Sequence, residues 1–123
     1  MSESRNRALW TATAACAAAQ LAMVIVGNSV PAVAAQFAVL GVTISLAAGV
    51  LYAVLAHDGR RGGAAGNGAI AGGVGALIGI VLSFALGDVT ASILALGTAS
   101  SAVTGALGGF AGSFFAAKQP ATS

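Results

Sequence analysis

The chain has 123 residues, one domain's worth, and 58% of them are hydrophobic while only 7% are charged. A soluble domain carries about 25% charged residues, so a soluble fold could not cover its surface, and bilayer residence is expected. The net charge of +2 comes from few groups, without a basic stripe or interleaved aromatics, which excludes a nucleic-acid partner; the single cysteine, Cys16, excludes an intrachain disulfide.

A polar leader with Glu3, Arg5 and Arg7 precedes the first apolar run, residues 8–27. Such a run reaches about 30 Å as a helix, the thickness of the hydrocarbon layer. Trp10 lies near its start, where an indole suits the headgroup boundary. Gly27, Asn28, Ser29 and Pro31 then read as a tight turn, with Gly as helix stop and Pro in the next first turn. The second span is predicted over residues 31–56. His57, Asp58, Arg60 and Arg61 open a polar connection that runs through a glycine-rich stretch to residue 68. The third span is expected over residues 69–86, followed by a Gly87-Asp88 turn with Asp88 as N-cap. The fourth covers residues 89–117 and leads to Lys118 and a polar tail. The predicted fold is all-α: a single transmembrane domain, a four-helix bundle made of two tandem helical hairpins.

Small residues recur every four positions in these spans. Gly41, Ser45, Gly49 and Ala53 do so in the second, and Gly75, Gly79, Ser83 and Gly87 in the third. Gly97, Ser101, Gly105, Gly109 and Ser113 do so in the fourth. That spacing keeps them on one side of a helix, and in lipid a small stripe lets backbones approach closely. Close glycine-zipper packing of spans two, three and four is therefore expected, through Gly41, Gly49, Gly75, Gly79, Ser83, Gly97, Ser101, Gly105 and Gly109.

Four crossings place Arg5, Arg7, Arg60, Arg61 and Lys118 on one side and leave the opposite turns without Lys or Arg. The positive-inside rule then puts both termini in the cytoplasm of a multi-pass protein of the plasma (inner) membrane. The leader and Ala32-Val33-Ala34 also fit a cleaved secretory signal. Its apolar stretch exceeds the usual length of about 7–15 residues, so a retained first span is expected.

Few residues carry chemistry. Gly66-Asn67-Gly68-Ala69-Ile70-Ala71 fits a dinucleotide fingerprint, but a membrane span stands where a strand is required, so a flexible loop is expected. One histidine, His57, and one cysteine cannot form a zinc site. Neither a metal nor a cofactor is expected, nor enzymatic activity. No acidic or basic residue lies inside a span, which argues against a proton-coupled carrier. Gln20 and Gln36 each lie about 10 Å below the first turn by helical rise; they are expected to bond each other and fix the hairpin. His57, Asp58, Arg60 and Arg61 are expected to meet anionic headgroups, with Asp58 paired locally.

Over residues 64–117, the glycine-rich third span, the Gly87-Asp88 turn and the Gly108-Gly109/Gly112 ending resemble small four-span prokaryotic membrane proteins of unknown function. The resemblance implies a fold and a location, and no activity. The expected function is structural or accessory: a small membrane protein that associates with itself, as a homo-oligomer, or with a membrane-protein partner. An oligomeric pore or permease for a small ion or solute is the alternative, and holin-like permeabilisation the third.

Overall fold

The structure is a computed structural model that describes residues 3–34 and 36–118; the expected tail after Lys118 lies outside these residues. Its elements are α1 (Glu3–Ser29), α2 (Pro31–Ala34), α3 (Phe37–Ala56), α4 (Arg61–Ala85) and α5 (Ala91–Lys118). All but α2 are long and apolar enough to cross a membrane.

Cross-helix neighbours fix the topology. Gln20 of α1 meets Gly41 and Ser45 of α3, while Cys16 and Gln20 meet Gly75 and Gly79 of α4. On α5, Gly109 lies against Ala64, Gly105 against Gly68, and the Ser101 carbonyl against Gly72. The four long helices therefore run alternately up and down. The α1 start, the α3–α4 connection and the α5 end share one end, called here the terminal end. The other turns form the far end. Helices α3 and α4 are in mutual contact and both touch α1 on one side and α5 on the other.

Four local expectations are corrected. Gly27 does not stop α1, which stays helical to Ser29, and the Val30 N–H still reaches the Val26 carbonyl at 2.9 Å. The second span is not continuous: the four-residue α2 precedes α3, whose N-cap is Gln36. The connection expected through residue 68 is much shorter, because α4 begins at Arg61. Glycine is a poor helix former in water, but here its missing Cβ lets α4 lie against α5. Finally, Asp88 does not cap α5. Thr90 does, its Oγ1 accepting from the Ile93 N–H at 3.3 Å.

Helices α3 and α4 end alike. The Asp58 N–H bonds the Ala53 carbonyl and the His57 N–H the Val54 carbonyl; Asp88 and Gly87 repeat this with Ser83 and Phe84. Both are Schellman endings, which need a left-handed residue. Gly87 takes that conformation freely, whereas His57 adopts it with a side chain (φ 51°).

Along α4 one face changes partner. Ala64, Gly68 and Gly72 touch α5, and one to two turns later Gly75 and Gly79 touch α1. Helical angle puts all five within one narrow sector, so α1 and α5 diverge across it. The crossing lies at Gly72. A Cβ there would come within 2.8 Å of the Ser101 carbonyl and 3.3 Å of Ser45, while the Cys16 thiol approaches its carbonyl oxygen (3.9 Å). From this point α5 leans away, and its residues 91–100 are half-buried or exposed.

Candidate functional site

At the terminal end, Gly49, Gly68, Gly105 and Gly109 bring α3, α4 and α5 into backbone contact. A Cβ on Gly49 would overlap the Gly105 carbonyl, and one on Gly109 the Ala64 carbonyl. Gly75 and Gly79 serve α1 instead, where a Cβ would stand 2.5 Å from the Cys16 Sγ and 2.6 Å from the Gln20 Cβ. Gly41 and Gly97 are looser. A Cβ on Gly41 makes only ordinary contacts, the nearest at 3.7 Å, and one on Gly97 meets only the tip of Ile80.

Above these contacts lies a polar network. Tyr52, fully buried, donates its phenol hydrogen to Asp58 Oδ2 at 2.7 Å and accepts from Asn67 Nδ2 at 2.7 Å. Arg60 closes on the same carboxylate with Nε and Nη2, both at 2.9 Å, and its own N–H reaches Oδ1 at 3.1 Å. Burial pushes the Asp58 carboxyl up. The Arg60 guanidinium, the Tyr52 hydroxyl and the Arg60 N–H outweigh it and hold the group below the ordinary carboxylate value. Arg61 leaves this cluster, its guanidinium 4.2 Å from the centre of the Phe114 ring on α5, while His57 is exposed at the turn. Tyr52 is absent from the residues singled out in the sequence, and Asn67 enters there only as part of a flexible loop, whereas both belong to this buried network. The signal was there: an Asn inside a helical glycine run needs a partner when buried, and the chain's one tyrosine lies six residues before Asp58.

The Gln20–Gln36 pair does not form. Gln20 is buried and donates Nε2 to the Gly41 carbonyl at 3.2 Å and to Ser45 Oγ at 3.5 Å. Gln36 is exposed, because the break before α3 makes it a cap residue rather than an inward position on a continuous helix.

The divergence of α5 opens a cavity of about 650 Å³ in the far half. Gln20, Met23 and Val24 line it from α1, Gly41 from α3, Ile80 and Ser83 from α4, Ile93 and Leu96 from α5, and Asp88 from the far-end turn. Ser83 and Ser101 are both buried in its lining. Several other α5 hydroxyls are engaged by their own helix: Thr98 with Leu94, Thr104 with Ser100 and Ser113 with Phe110. Among the described residues no three His, Cys, Asp or Glu side chains converge on a point that could hold a metal ion. Comparison with protein-family models, with curated proteins and with solved structures gave no match.

Proposed function

We propose that the chain is a structural or accessory protein of the plasma (inner) membrane, with both termini and the His57–Arg61 turn in the cytoplasm, that works by associating with copies of itself or with a membrane-protein partner. One observation carries the reading. With its small residues turned to α3 and α4, α5 keeps Val103, Leu107, Phe110 and Phe114 exposed. Val103, Leu107, Phe110 and Phe114 follow one another at spacings of four, three and four, so they lie along one face of α5 that the bundle leaves uncovered. The five cationic residues support the orientation, since Arg5, Arg7, Arg60, Arg61 and Lys118 all lie towards the terminal end.

A second reading, a pore or permease for a small ion or solute, draws on the far-half cavity. Against it stand the backbone contacts of Gly49, Gly68 and Gly105, which fill the bundle between that cavity and the terminal end. Liposomes separate the two readings. The purified chain alone is expected to leave preloaded vesicles tight to protons, potassium and small neutral solutes. Protein-dependent leakage would overturn the accessory reading in favour of the pore.

A further inference from the structure

The far-half cavity is used neither by the packing of the bundle nor by the association just proposed. Ser83 stands in its wall, only 2% exposed, and its Oγ has no hydrogen-bond partner among the described residues. A buried hydroxyl without a partner is a cost in the empty protein that a ligand group can remove. The Gln20 amide nitrogen is already committed to Gly41 and Ser45, which leaves Ser83 Oγ as a buried lining group with its bonding capacity open. Around it Met23, Val24, Ile80, Ile93 and Leu96 form apolar walls, and Ile93 and Leu96 are themselves exposed, so the cavity opens at the surface. Among the described residues no cationic side chain lines it, and the charged lining residue is Asp88.

We propose that this cavity binds an uncharged amphiphile, with an apolar body between α1 and α5 and one hydroxyl or carbonyl group on Ser83 Oγ. Its volume of about 650 Å³ lies inside the range of about 300–1,000 Å³ typical of small-molecule sites. The carboxylate of Asp88, with no cation in the lining, disfavours fatty acids and anionic lipid headgroups. Gly41 borders the space, and since a Cβ there meets nothing closer than 3.7 Å, a larger side chain can enter it.

The test uses the full chain in nanodiscs and two photoactivatable probes with the same diazirine chain: a monoacylglycerol and a fatty acid. The monoacylglycerol is expected to label segments holding Met23, Val24, Ile93 and Leu96. Gly41→Leu, which fills the cavity, should cut that labelling about tenfold, and Ser83→Ala about three- to tenfold, the worth of one hydrogen bond. Ser83→Thr keeps the hydroxyl and should keep most of the labelling. Ser83→Ala removes a single unbonded atom, so it tests the site even if Gly41→Leu disturbs the fold. The proposal fails if labelling spreads evenly over exposed positions such as Val39 and Val103, if the fatty acid labels the cavity better, or if Ser83→Ala changes nothing.

Discussion

The hydroxyl of Tyr52 donates a 2.7 Å hydrogen bond to the carboxylate of Asp58, and both groups are buried. Six residues separate them, and the left-handed turn at His57 brings the second back over the end of the helix that carries the first. Asn67 and Arg60 complete the arrangement, so the end of α3, the turn and the start of α4 share one polar knot. Tyr52→Phe removes only the oxygen, yet leaves Asn67 and Asp58 each short of a partner. A loss of about 1–3 kcal/mol is expected in detergent unfolding. Combining it with Asp58→Asn should cost less than the sum of the two single changes. Full additivity would contradict the coupling.

The same carboxylate makes stability depend on acid. The folded Asp58 group titrates below its ordinary value. Its contribution is therefore complete above the unfolded value of about 3.9 and is lost as pH falls through the lower folded value. Thermal stability should stay flat from neutral pH down to about 5 and decline below about 4. Asp58→Asn should flatten that acid limb. Arg60→Ala should also flatten or reverse it, because burial then acts on the carboxyl without its main counterweight and brings the folded value back towards or above the unfolded one. An unchanged acid limb in Asp58→Asn would show that other groups set it.

Glycines in one helix should respond with opposite signs. A Cβ on Gly62 or Gly66 meets nothing within 4 Å, whereas one on Gly68 overlaps the Gly105 carbonyl. Gly66→Ala is expected to stabilise by about 0.5–1 kcal/mol through helix propensity alone. Gly68→Ala and Gly105→Ala must push α4 and α5 apart, at an expected cost of at least about 1–3 kcal/mol. Equal effects at Gly66 and Gly68 in a chemical unfolding series would contradict the close approach.

The contrast also shows why part of the fold was legible in the sequence and part was not. Long apolar runs mark the four long helices, and the basic residues mark the end they share, because both follow from composition along the chain. Residues 62–68 read as a loop from the sequence because helix propensity describes an isolated helix, and only a neighbour as close as Gly105 turns a missing Cβ into an advantage. The stripe through Gly75 and Gly79 was visible, but a stripe does not name its partner. Helix α1, which carries no glycine at the contact, supplied it through Cys16 and Gln20. Gln36 was matched to Gln20 by depth, which assumes an unbroken helix; the break after α2 defeats that assumption. The cavity comes from the divergence of α1 and α5, a relation between distant elements that no local pattern carries.

The exposed face of α5 gives a prediction that leaves the fold in place. Leu107 is 59% exposed and Phe110 45%, and Phe110 meets Phe114 edge to face, so Leu107→Ala with Phe110→Ala should cost no more than about 1–2 kcal/mol in unfolding. Cross-linking between chains, or to a partner, should drop several-fold. A large loss of stability with cross-linking intact would place these residues in the fold rather than at an interface.

Native mass spectrometry after gentle extraction from the host membrane tests the central claim most directly. The account predicts a defined assembly, either a fixed number of copies of this chain or the chain with a constant second polypeptide, weakened by the Leu107→Ala/Phe110→Ala change. A single chain carrying only lipid, unaffected by that change, would contradict it.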